Sequence, residues 1–395
     1  MKSPQDVYAL KRAGQYANPR LGSEALPIVY GDLDSQTGGR GVWQAVCLDT
    51  QAHVYALAGT PILSAEAGNR VRLFDRQGEE VFDFGFNPAH DFQGLGPIAT
   101  VTLPQDMLSR EPLAAAAQGR AGAAGLLVDP VEIVQDFLLN LAGLDTAQLD
   151  GPSWARARRR ARERGYQAAG VIDGDQALGS TLSQVLGCFL GSWWLDAAGR
   201  LRVVLEGGMA CLESEVAHAF AAVDTLEALA SADIKNTCNR VACQYAYNWQ
   251  EGEYQAHDDG EGMKDRLSQA LHGDQVRRLR LPWLRLAQVV NRVQETAVGR
   301  FAGGARLITL EAPGPPALHL ERGDHAWFSS HWLRDASGRP LSGQLVRVLS
   351  LETNLDSGVT RFTLEDTGFR QTLAWPADGT RLADGAALAG GLPGA

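Results

Sequence analysis

Cysteine is scarce in this sequence, with five residues among 395. They stand at Cys47, Cys188, Cys211, Cys238 and Cys243. An odd set without paired spacing argues against the disulfide framework of a secreted protein. The last four fall in one region, which leaves a metal or iron–sulfur cluster as an alternative. Cys243 alternates with Val241 and Tyr245 along a strand-like pattern, which favours a buried apolar role.

Long apolar runs are also missing. The longest, residues 185–195, is too short to cross a bilayer, and residues 1–16 are polar and lack the apolar core of a signal peptide. We therefore expect no membrane span and a protein made in the cytoplasm of a cell.

An excess of basic residues is absent, since the net charge is −10. A dedicated nucleic-acid binder normally carries a basic domain or stripe, so the charge argues against that class. An acidic surface can still line a channel through which DNA slides without specific binding, because it repels the phosphates.

Recognisable catalytic motifs are missing too. The sequence has no G-x-S-x-G, no H-E-x-x-H and no Cys-His protease signature. The acidic cluster Asp258, Asp259 and Glu261 lacks the alternating ligands of a calcium loop, so it predicts a solvated loop. His325 and His331 would lie about 20 Å apart along a strand, too far to share a metal. We expect no enzyme and no cofactor.

Glycine, in contrast, is abundant, with 44 residues. This indicates many turns and short strands, and strand-like content recurs at residues 42–48, 54–58, 71–75 and 81–86. An Ala/Gly-rich segment at 113–125 predicts a linker or hinge.

Residues 129–206 predict a helix–helix–hairpin module. Asp129 can cap the first helix, with Pro130 at its first position and Glu132 completing a capping box. Ser153 is predicted to cap a second helix, and apolar spacing over 178–189 predicts a third. The turn at 196–199 then joins the two strands of a hairpin.

The second helix carries the strongest charge feature of the chain. Its arginines are Arg156, Arg158, Arg159, Arg160, Arg162 and Arg164. Such a row could contact DNA or another anionic surface, but in an acidic chain we favour an acidic face of another subunit.

The rest of the chain predicts an irregular helix over 213–230, a strand from Asn239, a charged loop over 250–265, an amphipathic helix over 286–297 and further strands up to residue 364. The fold class is therefore α+β, with several small antiparallel β-barrel or β-sandwich domains around the helical module. The predicted domains are an N-terminal β domain with an arm (1–112), an Ala/Gly linker (113–125), a helical module with a β-hairpin (126–230), a strand, acidic loop and amphipathic helix (231–300), a small β-barrel (301–375) and a tail segment (376–395).

Several motifs occur in an order similar to a known family. They are L-P-I-V-Y-G at 26–31, D-P-x-E-I-V-x-D-F-L from Asp129, W-L-D-x-x-G-R-L-R-V-V at the hairpin, N-x-V-x-C-x-Y from Asn239 and L-x-L-P-W ending at Trp283. This order resembles tail-tip and baseplate hub proteins of long-tailed bacteriophages, including lambda-type tip attachment proteins, Mu-like tails and gene transfer agents.

The resemblance implies a structural virion protein at the tail tip or baseplate, assembled in the host cytoplasm. It would form a homotrimer that closes the tail tube, adapts sixfold to threefold symmetry and takes part in host attachment and genome ejection. Implied partners are the tail tube or distal tail protein, the tape-measure protein, a central fibre and genomic DNA passing through the channel. The alternatives are a tail-associated peptidoglycan hydrolase and a carbohydrate-binding β-sandwich protein.

Overall fold

The structure, a computed structural model, describes residues 6–12, 25–34, 41–104, 113–206, 216–221, 227–233, 237–302, 305–313, 319–334, 339–354 and 356–366. The chain divides into two units. Unit 1 consists of Met1–Leu205, Ala242–Gly260 and Arg278–Gln294, and unit 2 consists of Glu206–Val241, Glu261–Arg277 and Glu295–Ala395. Both units are therefore discontinuous in sequence, unlike the contiguous domains that the sequence predicted.

The first half of the chain contains short strands. They are β1 (Val7–Tyr8), β2 (Ile28–Tyr30), β3 (Trp43–Gln44), β4 (Val46–Asp49), β5 (Val54–Ala58), β6 (Arg72–Phe74), β7 (Glu80–Val81), β8 (Gly85–Asp91), β9 (Pro97–Thr102), β10 (Ala114–Ala116), β11 (Ala121–Gly122), β12 (Gly125–Leu126), β13 (Gly170–Ile172), β14 (Gln176–Ala177), β15 (Gly191–Leu195) and β16 (Leu201–Leu205).

Longer strands follow in the second half, where the structure describes β17 (Val216–Phe220), β18 (Glu227–Asp233), β19 (Arg240–Asn248), β20 (Glu253–Asp258), β21 (Val276–Arg280), β22 (Ala305–Pro313), β23 (His325–Arg334), β24 (Pro340–Asn354) and β25 (Val359–Asp366). The α-helices are α1 (Pro130–Asp136), α2 (Gly151–Glu163), α3 (Leu178–Gly187), α4 (Arg266–His272) and α5 (Ala287–Phe301).

Two four-stranded antiparallel sheets form the N-terminal part of unit 1. Their strand orders are β3-β10-β6-β7 and β4-β5-β9-β8. Large side chains such as Trp43, Tyr55 and Phe74 are almost fully buried between them and belong to one apolar cluster. Burial of this apolar surface is the main stabilising contribution to this part of the fold.

The Ala/Gly-rich segment at 113–125 was wrongly predicted as a linker. Its strand β10 pairs with both β3 and β6, and the alanines at 114–117 are buried in the cluster of unit 1. Small side chains are needed here because a Cβ placed on Gly41 would lie 2.1 Å from the Cβ of Ala114. The small residues at Gly41 and Ala114 therefore reflect the close packing of two backbone segments.

The helix–helix–hairpin module forms within unit 1. The Asp129 carboxylate accepts the backbone N–H groups of Val131 and Glu132, which confirms the predicted helix start. Helix α2, however, begins earlier than predicted, because Asp150 and not Ser153 is its N-cap residue. Strands β15 and β16 pair antiparallel from Gly191 to Leu205, as the hairpin pattern predicted.

Two segments of predicted helix or loop are strands. Residues 213–230 were expected to be helical, but Val216–Phe220 forms β17 with alternating exposure. The charged loop expected over 250–265 contains β20, which pairs antiparallel with β19. β17 pairs with the distant strand β23, whereas β20 forms a hairpin with the adjacent strand β19. In both places strand pairing decides the conformation over local spacing.

Unit 2 contains a six-stranded sheet in the order β17-β23-β24-β25-β22-β18. The pair β17–β23 is parallel, and the other neighbours are antiparallel. Phe220, Phe328 and Phe362 are central in its apolar cluster. Over the residues that the structure describes, hydrogen bonds do not close this sheet into a barrel.

Small antiparallel sheets with a few helices thus make up both units, which confirms the predicted α+β class. Within the described ranges, none of the helices has the length and apolar content needed to cross a membrane.

Candidate functional site

The outer face of α2 presents the predicted row of arginines. Trp154, Ala157 and Ala161 point into unit 1 and fix the helix, so the arginines occupy the remaining face. Three of them have ion pairs within the same unit. Arg162 contacts Glu132 at 2.5 Å, while Arg159 and Arg160 lie 3.7 and 3.5 Å from Glu163.

The contact of Arg162 with Glu132 also changes a predicted cap. The sequence predicted that Glu132 would complete a capping box, but its carboxylate turns towards Arg162. The pKa of Arg162 is raised by its hydrogen bond with Glu132 and by the charge of that carboxylate. Arg164 follows α2 as its C-cap residue and is half-buried.

Arg156 and Arg158 differ from the paired arginines. In the described part of the chain neither has a carboxylate within 4.0 Å, and both are half-buried. The stems of such side chains can pack along the helix while the guanidinium groups stay accessible to an anion. These two residues are therefore the strongest candidates in the row for contact with an acidic partner.

A buried cluster joins two of the sequence motifs. Tyr30, from L-P-I-V-Y-G, donates its hydroxyl hydrogen bond to Asp136 of α1 at 2.7 Å. Arg120 binds the same carboxylate through two nitrogens at 2.8 and 3.1 Å. Burial alone would raise the pKa of Asp136, but hydrogen bonds from Arg120, Asn140 and Tyr30 lower it below its usual value. The carboxylate is therefore held ionised by the residues around it.

Further motif segments pack at the same core of unit 1. Strand β2, which ends at Tyr30, pairs antiparallel with β13. Trp283, from the L-x-L-P-W motif, accepts the backbone N–H of Ala169 and lies over Gly170, where a Cβ would be 2.5 Å from the indole ring. Its ring centroid is 6.5 Å from that of Tyr30. Segments far apart in sequence thus form one packed framework.

The cysteines proposed as an alternative metal site are placed as follows. Cys188, Cys238 and Cys243 are buried, and none of the three forms a disulfide within the part of the chain that the structure describes, while Cys211 lies outside it. Burial raises the pKa of the Cys188 thiol to about 12, and its Sγ contacts the Gln184 carbonyl oxygen. Among the described side chains, no three His, Cys, Asp or Glu residues lie close enough together to hold a metal ion.

The acidic cluster is part of a folded segment. Asp258 ends β20, where its Oδ1 accepts hydrogen bonds from Gly260 at 2.7 Å and Gln294 at 3.0 Å. Asp259 is exposed, and Glu261 interacts with Arg240 at 2.9 Å within unit 2. His325 and His331 both lie on β23, as their spacing predicted.

Two other buried charged groups were not predicted from the sequence. In unit 2, Arg300 and Arg347 contact Glu206 and Glu365, and all four side chains are at most 17% exposed. In unit 1, Arg285 is 3% exposed and donates to the carbonyl oxygen of Tyr247 at 3.1 Å. Burial lowers the pKa of Arg285 to about 10, against an opposing effect of Asp32. Such groups become evident only in the structure, where segments distant in sequence come together.

Comparisons with known proteins found a distant structural similarity. No family model matches the chain, and no curated protein sequence matches it. Among solved structures, the chain is similar to the crystal structure of the prophage MuSo2 43 kDa tail protein from Shewanella oneidensis. The identity is 8%, the TM-score is 0.36, and the match covers 73% of this chain and 78% of that chain. At these values the similarity carries no argument about family or function.

Proposed function

We propose that the protein is a non-enzymatic structural component of a phage tail, acting as the baseplate hub or tail-tip protein. In this role three copies form a ring that closes the tail tube and adapts its sixfold symmetry to a threefold tip. The ring holds the central fibre and the end of the tape-measure protein, contacts the tail tube or distal tail protein, and lets DNA pass on ejection.

The observation that carries the proposal is the spatial convergence of three of the motifs on which the family resemblance rests. Tyr30 bonds Asp136, β2 pairs with β13, and Trp283 packs on Gly170, all within unit 1. The sequence resembled the family only through the order of its motifs, and in the structure residues of these motifs pack together in one framework.

The arginine row supports an assembly role. Arg156 and Arg158, which have no carboxylate within 4.0 Å among the described residues, offer guanidinium groups on a protein whose net charge is −10. Such groups form strong, geometrically specific contacts with carboxylates. An acidic face of a neighbouring tail protein, or of another copy, is the partner that fits them.

The test is the mass and shape of the purified protein, by native mass spectrometry and electron microscopy. We expect a threefold ring that is incorporated at the tail end when the other tail proteins are present. A chain that stays monomeric and never enters a particle contradicts the hub role. In parallel, the protein is incubated with purified peptidoglycan, and release of soluble fragments would favour the alternative hydrolase.

A further inference from the structure

The three-stranded sheet of β20, β19 and β21 has two open edges. Its order is β20-β19-β21, so β20 and β21 are the edge strands. Across the described residues, no backbone hydrogen bond connects either outer edge to another element. An edge of this kind can add a strand from another chain.

The two edges carry opposite charge. Residues 251–259 around β20 contain four carboxylates and neither lysine nor arginine. On the other edge, Arg278 and Arg280 are exposed, and no acidic residue occurs between residues 276 and 280. One edge of the sheet is therefore acidic and the other is basic.

The charged side chains are available for contact. Glu253, Gln255 and His257 alternate as the exposed residues of β20, while the residues between them are half-buried. Arg278 and Arg280 alternate in the same way on β21, with half-buried Leu279 between them. Within the described chain, Glu253, Arg278 and Arg280 have no ion-pair partner within 4.0 Å.

This charge pattern makes edge pairing directional. Two β20 edges would place carboxylates against each other, and two β21 edges would do the same with guanidinium groups. Only the contact of a β20 edge with a β21 edge is attractive. A head-to-tail contact of two different surfaces produces a closed ring when its rotation closes.

We propose that β20 of one copy pairs edge-to-edge with β21 of the next copy, so that the small sheet continues from protomer to protomer. Glu253 then faces the arginines at 278 and 280 of its neighbour. The inference rests on the proposed ring only in requiring that copies of the chain associate.

The experiment uses full-length protein with the charge of one edge reversed at a time. The first variant carries Arg278→Glu and Arg280→Glu, and the second carries Glu253→Arg and Gln255→Arg. A third combines all four changes. The control, Arg76→Glu with Arg266→Glu, reverses two exposed arginines outside both edges. Assembly is measured by native mass spectrometry over a range of protein concentrations, with circular dichroism to verify folding.

We expect each double variant to assemble at least tenfold more weakly than the wild type, and the fourfold variant to recover assembly because its edges are again complementary. An equimolar mixture of the two double variants should also associate. The control should match the wild type. If the double variants assemble like the wild type, the edge contact is refuted while the ring stands. If the wild type remains monomeric at every concentration, the ring and the edge contact both fail.

Discussion

At the scale of single residues, the buried charges explain why certain motif positions need particular side chains. Asp136 is 10% exposed and receives hydrogen bonds from Arg120 and Tyr30. A buried carboxylate is tolerated when its partners supply charge and hydrogen bonds, and each partner becomes costly to remove. The tyrosine of the L-P-I-V-Y-G motif is therefore one part of a charged cluster.

Replacing Asp136 with alanine should destabilise the protein by about 3–5 kcal/mol, because Arg120 is left as an unpaired buried charge. Tyr30→Phe should cost about 1 kcal/mol, since it removes one hydrogen bond. The free energies of unfolding are measured by urea titration with tryptophan fluorescence. Glu163→Ala is the control, because the 52% exposed Glu163 lies in surface ion pairs. Equal losses for Asp136→Ala and the control would refute the role of the cluster.

The buried ion pairs of Glu206 predict that the stability of the protein depends on pH. Burial by itself would raise the pKa of Glu206, but Arg347 and Arg300 outweigh it, so the pKa in the folded protein is lowered. The unfolded chain has the ordinary glutamate pKa of about 4.3 and binds the proton more readily. The contribution of Glu206 to stability is therefore present above that pH and is lost as the pH falls through the lower folded-state pKa.

Glu206→Gln should consequently destabilise the protein by about 3 kcal/mol at pH 7, where two buried arginines lose a negative partner. The difference in stability between this variant and the wild type should shrink in acid, because a protonated Glu206 is neutral, like glutamine. Thermal unfolding from pH 7 down to about pH 3 measures both values. A difference that stays constant over this range would show that the charge of Glu206 is not what stabilises unit 2.

At the scale of elements, local signals predicted what local interactions decide. The Asp129 cap, the face of α1 and the hairpin β15–β16 depend on residues close in sequence, and the structure has all three. Strand β10 was missed because its alanines look like a linker until they are placed against Gly41. Helix-like spacing over 213–230 was similarly overridden by the pairing of β17 with β23. Contacts between distant segments leave no periodic trace in one sequence.

The packing of β13 on Trp283 provides a prediction at this scale. Gly170→Ala would place a Cβ 2.5 Å from the indole ring, and the required shift should cost about 1–3 kcal/mol. Gly174→Ala is the matched control, because a Cβ there meets nothing within 4 Å. Thermal unfolding and near-ultraviolet circular dichroism of the tryptophans report both variants. If Gly174→Ala destabilises the protein as much as Gly170→Ala, the local backbone and not the contact with Trp283 excludes a side chain.

At the scale of the whole molecule, the site is less predictable than the fold. The arginine row was evident from the sequence. Within the described residues Arg162 has a carboxylate partner and Arg156 and Arg158 have none, a division that depends on where Glu132 and Glu163 lie. Charge runs report electrostatics, and only the fold shows which charges are already neutralised.

We expect Arg156→Glu with Arg158→Glu to leave the folded protein intact and to reduce its binding to the proposed acidic partner at least tenfold, with the loss larger at low salt. Co-purification of tail proteins and native mass spectrometry measure this effect. Arg76→Glu, an exposed change elsewhere in unit 1, is the control. Unaltered assembly of the double variant would remove this helix from the list of contact surfaces.

The discontinuous composition of unit 1 also determines when it can fold during synthesis. Tyr30 packs near Trp283, which leaves the ribosome 253 residues later, a delay of roughly 13–50 s at ordinary bacterial elongation rates. Strand β2 waits for β13, and both wait for the indole ring that covers Gly170. The nascent chain therefore exposes apolar strands for most of its translation. Its yield should therefore depend on chaperones that bind nascent chains more than the yield of a protein whose domains are completed one after another.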